Sequence, residues 1–291
     1  MGVRRATSKK SLKERADEAE RREHRRMQSY LHQSKDLKNS IVLVLPLFVA
    51  YQVGILFSGG VRNGADFVTD LMLAGIRLVL QVSAEGQAPA QGQVLVAYLA
   101  LNLLVGLVLL FVVWRFRKRG RFSGRLFPFL LLESFVYALF FSSAVALMMR
   151  ALGLEGLLRA SWLTDTTTLP ALAAGAAKSL SLVDKVVMSI GAGLYEELVF
   201  RLLLMGGLYH LFAKVMHLPK LGGALLALLL SSLVFSAVHH VGNMGEAFTL
   251  SAFAFRFFAG VLLATIFHVR GLAVAVYTHA LYDVLVMVLR S

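Results

Sequence analysis

Seven stretches of this chain, at about 41–58, 94–114, 127–149, 184–213, 222–240, 250–268 and 272–290, are almost purely apolar. A helix rises about 1.5 Å per residue, so roughly 20 such residues span the hydrocarbon layer of a bilayer. The chain is 57% hydrophobic and only 16% charged, where a soluble domain carries about 25% charged residues. The expected fold is all-α: a polytopic transmembrane helical bundle of about seven spans behind a polar N-terminal tail. An eighth run, 67–83, is short and holds Asp70 and Arg77. It is expected to lie in the interface or to re-enter, and its crossing would make eight spans.

The charges orient the bundle. Residues 1–40 hold 12 Lys and Arg against 6 Asp and Glu, and the loop Arg115, Arg117, Lys118, Arg119, Arg121, Arg125 is basic throughout. By the positive-inside rule both are cytoplasmic, which makes 41–58 and 94–114 an out-and-back pair. Lys214, Lys220 and Arg270 fall on the same side as the count continues. The domain reading follows: 1–39 is a charged, partly helical cytoplasmic tail, and 40–150 holds the first spans with the segment near 67–83. Residues 151–291 form the membrane core that carries the chemistry, with an extracytoplasmic loop at 151–183. No signal peptide is expected, because the first apolar run begins at Ile41 without a small-residue cleavage pattern. The net charge of +13 gathers in the tail and at span ends, so its partner is the lipid bilayer, with anionic headgroups at the tail, and not nucleic acid. The expected location is the inner (cytoplasmic) membrane of a bacterium. Cysteine is absent, which removes disulfides, Cys-ligated metals and thiol nucleophiles.

Ionisable side chains at the centre of a membrane helix cost about 2.5–3.5 kcal/mol each on insertion scales, yet this chain keeps several there. Glu196 and Glu197 lie inside the run 184–213, whose glycines at 191, 193, 206 and 207 permit close helix contact. Successive helical side chains diverge by about 100°, so the two carboxylates are expected to face different neighbours. Glu197 and Arg201 are four apart and suit an ion pair, which frees Glu196. Phe235 and His239 are four apart, with His240 a competitor, and so are His279 and Asp283. A glutamate, two histidines and an aspartate can activate water, with the carboxylate as general base, the imidazoles steering or stabilising, and a divalent metal as a further option. Glu133 reads as a structural residue, snorkelling near the cytoplasmic end or pairing with Arg201 or Arg256. Arg256 reads first as a packing or pairing residue.

The order Glu196-Glu197-Leu-Val-Phe-Arg201, Phe235-Ser-Ala-Val-His239, His279-Ala-Leu-Tyr-Asp283 resembles the three-motif signature of the CPBP family, the CAAX-protease and bacteriocin-processing (ABI) intramembrane proteases. The stretch from Phe255 through Gly260 to Gly271-Leu272-Ala273 is similar to that family's approach to its last motif. The resemblance covers about 180–290. It implies hydrolysis of a peptide bond near the membrane-anchored or C-terminal end of a protein or peptide. Glu196 would activate water with His239, while His279 and Asp283 stabilise the oxyanion or hold a metal. Glu197 and Arg201 would orient Glu196, with Phe235 in support. Many relatives have Asn where this chain has Asp283, and an ionised Asp only accepts hydrogen bonds. That favours metal ligation or orientation of His279 for Asp283. The resemblance leaves Zn²⁺ open, with Glu196, His239, His279 and Asp283 as its ligands. Two further classes are a non-catalytic scaffold or immunity-type member and a proton-coupled transporter, the latter disfavoured because no internal repeat is present. The seven-span count sets the site between the midplane and the outer side, which suits an anchored peptide presented from outside.

Overall fold

The computed structural model describes residues 30–57, 67–83, 89–115, 124, 126–157, 181–241 and 247–289, with Glu18 and Arg21. Most of the tail, the basic loop after Arg115 and the stretch 158–180 of the expected outer loop lie outside the described residues. Among the described residues all regular structure is helical: α1 (Leu37–Phe57), α2 (Phe67–Ser83), α3 (Gln91–Arg115), α4 (Leu126–Ala151), α5 (Leu182–Val215), α6 (Lys220–Val238), α7 (Leu250–Arg270) and α8 (Leu272–Leu289). Six of these, α1 and α3 to α7, are long and apolar enough to cross a membrane. α2 and α8 contain shorter apolar helices, Met72–Val82 and Leu272–Val288.

Local chemistry sets the helix ends. Ser181 begins α5 with a capping box: its hydroxyl accepts from the Asp184 amide at 3.1 Å, and its own amide donates to the Asp184 carboxylate at 3.1 Å. Thr249 caps α7 through the Ala252 amide. α7 and α8 are separated by Gly271 alone, at φ 93°, a left-handed conformation that favours glycine. A Cβ there would also stand 2.5 Å from the carbonyl oxygen of Ser34, so the α7–α8 corner is pressed against the segment that leads into α1.

α8 is the central element and packs against α1, α4, α5 and α7. Its first turns, Leu272 to Val276 and again Ala280, are buried and mostly small, which lets neighbouring backbones come close. The large apolar side chains of α3, such as Leu103, Leu107 and Phe111, face outward, as a lipid-facing surface requires. α1 meets α3 at Phe48 with Gly106 and at Tyr51 with Tyr98, so these two helices run antiparallel. α5 meets α8 at Gly193 with Ala280 and at Ser189 with Met287, again antiparallel. Of the four glycines on α5, 191 and 193 make close contacts, with Tyr51 and Ala280. At the Cβ position of Gly207 nothing lies within 4 Å and that of Gly206 meets only the carbonyl of Arg201, so neither glycine of the second pair is itself a point of close helix contact.

One end of the bundle is tied by an ionic knot. Glu133 accepts from Arg270 Nη2 at 2.8 Å, from the Tyr137 hydroxyl at 2.9 Å and from the Tyr30 hydroxyl. The Arg270 guanidinium lies 5.1 Å from the Tyr30 ring centre. Burial, then the hydrogen bond to Glu133, pushes the Tyr30 hydroxyl pKa up. The partner of Glu133 is therefore Arg270, not Arg201 or Arg256. Pairing across |i−j| of 137 leaves no periodicity to read.

Candidate active site

The sequence brings Glu196 and Glu197 to the point where α5 changes its winding. The helix is α-helical to Glu196 and π-helical from Glu197 to Met205. The π form bonds i to i+5 and widens the turn, and such stretches concentrate at functional sites. Helical divergence gives each carboxylate a neighbour of its own, His239 for Glu196 and Arg201 for Glu197, but it does not foretell that they also share one. Both reach His279 from α8, one at each ring nitrogen: Glu197 Oε1 stands 2.9 Å from Nδ1 and Glu196 Oε2 stands 3.8 Å from Nε2. The opposed nitrogens of one imidazole bridge the gap between adjacent side chains.

His239 caps the end of α6. Its Nδ1 lies 2.6 Å from the carbonyl oxygen of Phe235. A carbonyl only accepts, so Nδ1 carries a proton and the ring turns its Nε2 edge inward. That Nε2 is 3.8 Å from Glu196 Oε2. Glu196 Oε2 thus stands between two imidazoles, too far for a direct hydrogen bond to either. Asp283 Oδ2 is 3.5 Å from His279 Nε2. The orientation of His279 through Nδ1 comes from Glu197, where the sequence reading offered Asp283.

Glu197 has a second partner. Its Oε2 is 3.3 Å from Arg201 Nε, both side chains being wholly buried. The Arg201 guanidinium lies 4.7 Å from the centre of the Phe235 ring, a cation–π contact that compensates a desolvated charge. Phe235 also meets Phe200 edge-on at 5.3 Å and His239 at 4.7 Å. Glu196, Glu197, Arg201, Phe235, His239, His279 and Asp283 are therefore in one place. Arg256, half-buried on α7, joins them electrostatically: its charge acts on both His239 and Asp283. Its helical spacing from Gly260, whose Cβ position meets Ser232 and Phe235 of α6, was the signal that could have assigned it to this side.

Among the described residues no set of three or more His, Cys, Asp or Glu is arranged to hold a metal ion. The Nδ1 edges of both histidines are engaged, by Phe235 and Glu197, which leaves both Nε2 atoms turned toward Glu196, the edge a histidine held in this way presents to a ligand.

Fold and site together define an integral, polytopic helical membrane protein with a cluster of acids and imidazoles buried in its core. Residues 178–285 match the Rce1-like family, described as type II CAAX prenyl endopeptidase Rce1-like. This supports the general CPBP family, and with it a fold associated with intramembrane proteolysis, over the stretch that holds every residue of the cluster. Residues 1–177 lie outside the match. No curated protein and no solved structure matches the chain.

Proposed function

We propose that this protein is an intramembrane endopeptidase that cuts a peptide bond near the membrane-anchored or C-terminal end of its substrate. The observation that carries the reading is Glu196 Oε2 standing 3.8 Å from both His239 Nε2 and His279 Nε2, inside the region matched to a prenyl endopeptidase family. In this mechanism Glu196 takes a proton from a water held between it and His239, and the water oxygen attacks the scissile carbonyl carbon. The resulting oxyanion accepts from Nε2–H of His279 in its imidazolium form, whose Nδ1–H is held by Glu197. Glu196 then hands the proton to the leaving amine as the C–N bond breaks. Asp283, 3.5 Å from His279 Nε2, favours the imidazolium form by its charge. The match to a prenyl endopeptidase family points to substrates with a lipid-bearing end. Seven crossings with the N-terminus in the cytosol of a bacterial inner membrane complete the reading. They are supported by the basic loop and by Tyr30, Glu133 and Arg270 meeting at one end.

The test compares cells carrying the wild-type chain, Glu196→Ala or His279→Ala at equal expression, with membrane-anchored protein fragments identified by mass spectrometry. A product lost in both variants, with its uncut precursor accumulating, is expected. Retained cleavage in either variant would overturn the assignment, and an unchanged phenotype without any cleavage product would favour the scaffold. Metal content of purified, chelator-washed protein tests the zinc expectation separately.

A further inference from the structure

A second polar cluster lies in the membrane part of the molecule, away from the charged site and largely outside the matched region. The Tyr195 hydroxyl donates to Asn102 Oδ1 on α3 and accepts from Gln52 Nε2 on α1 at 3.1 Å. Asn102 Nδ2 donates to the carbonyl of Tyr98 at 2.9 Å, and the Tyr51 and Tyr98 hydroxyls bond each other at 3.0 Å. Tyr51, Tyr98, Asn102 and Tyr195 are all buried. The Tyr51 and Tyr195 rings meet edge-on at 5.4 Å. Polar side chains at this depth are costly, and packing alone would be served by apolar ones.

What distinguishes this network is where it grips α5. Tyr195 immediately precedes Glu196, at the junction between α-helical and π-helical winding. Hydrogen-bond spacing changes there, so the backbone ladder is least able to fix the rotation of the following residues about the helix axis. A helix with its side chains is about 10–12 Å across. A rotation of about 10° therefore carries a carboxylate at its rim by about 1 Å, and misplacement on that scale costs a reacting group about 10²-fold in rate. Gly191 against Tyr51 and Gly193 against Ala280 limit how far α5 translates. The hydroxyl of Tyr195 is the directional tie that limits how far it turns.

We infer that Asn102 and Gln52, through the Tyr195 hydroxyl, act as positioning residues that set the rotation of α5 and thereby aim Glu196 between His239 and His279. This rests on the proteolytic reading for its kinetic consequence, but not for its geometric one. The chain has no cysteine, so Ser189→Cys with Met287→Cys, whose native side chains touch at 3.5 Å across α5 and α8, reports α5 rotation through the rate of reaction with a short bis-thiosulfonate cross-linker. Tyr195→Phe keeps the ring on Tyr51 and removes only the hydroxyl. It is expected to slow cross-linking severalfold and to lower kcat about 10- to 100-fold with KM unchanged. Asn102→Leu should do the same, and Asn102→Asp, which keeps the acceptor oxygen, should recover most of the loss. Tyr98→Phe removes an equally buried hydroxyl, one bonded to the Tyr51 hydroxyl, and should cost clearly less in both readouts than Tyr195→Phe. Wild-type cross-linking in Tyr195→Phe would overturn the inference, as would equal losses in Tyr98→Phe. If the wild-type chain cleaves nothing while the cross-linking pattern holds, the proteolytic reading fails and the positioning network stands.

Discussion

Replacing Gly193 with alanine adds one methyl group at the contact between the two helices that meet at the site. The new Cβ would stand 2.5 Å from the backbone nitrogen of Ala280 and 2.8 Å from its Cα and Cβ. Carbon contacts settle near 3.5 Å, so α5 and α8 must part by about 1 Å. The obstacle is backbone, so no rotamer change relieves it. Gly193 lies one turn before Glu197, and Ala280 follows His279, so the displacement falls directly on the 2.9 Å bond between Glu197 and His279. A bond stretched from there by about 1 Å is no longer a hydrogen bond. Overpacking of this kind costs about 1–3 kcal/mol of stability, and a 1 Å error at a reacting group about 10²-fold in rate. Thermal unfolding in detergent measures the first, and cleavage of a membrane-anchored substrate by purified protein measures the second. Gly207→Ala is the control: nothing lies within 4 Å of its Cβ position, and alanine in a helix interior gains about 0.5–1 kcal/mol over glycine. Wild-type cleavage by Gly193→Ala would refute the idea that spacing between α5 and α8 governs the site.

Three further outcomes are expected. Arg201→Met strands the wholly buried Glu197 carboxylate and should cost about 3–5 kcal/mol, read from denaturant unfolding in micelles, with loss of cleavage beyond the loss of folded protein. Glu133→Gln removes the anion shared by Arg270, Tyr30 and Tyr137 and should cost about 3 kcal/mol; limited proteolysis should then cut between Tyr30 and Leu37 faster than in the wild-type chain. Asp283→Asn exchanges an acceptor for an amide that also donates, so it should keep cleavage within about tenfold of wild type. Asp283→Leu should lose about 10²–10³-fold in kcat; equal activity in the two variants would remove Asp283 from the chemistry.

The apolar runs were legible because lipid demands long uninterrupted hydrophobic stretches, and α3, α4 and α6 differ from their sequence bounds by only a few residues. Spacing of four placed Glu197 with Arg201, and His279 with Asp283, because helical periodicity is local. Four features were not legible. The π-helical stretch at Glu197 has no compositional mark, and it lies where both glutamates come to share His279 despite the expected divergence. The partner of Glu133 is Arg270, distant in sequence. Gly193 and Gly207 look alike in the chain, and only the tertiary structure decides that one touches α8 and the other nothing. Tyr51, Tyr98, Asn102 and Tyr195 passed as ordinary span residues, since a lone Tyr or Asn in an apolar run gives no sign of its hydrogen-bond partner.

The limits of the family match do not coincide with the limits of the machinery. α8, which carries His279 and Asp283, is located at its start by Gly271 against Ser34 and by Arg270 on Glu133. It is located in its middle by Ala280 against Gly193. α5, which carries Glu196 and Glu197, is gripped by Tyr51 at Gly191 and by Asn102 and Gln52 at Tyr195. Ser34, Tyr51, Gln52, Asn102 and Glu133 all precede residue 178, where the match begins. Buried ionisable groups hold a reactive geometry only while their neighbours cannot relax around them. The described helices that precede the match are therefore the frame that denies α5 and α8 that freedom, and residues 178–285 expressed alone should fold less stably and place Glu196 and His279 less closely than the full chain does.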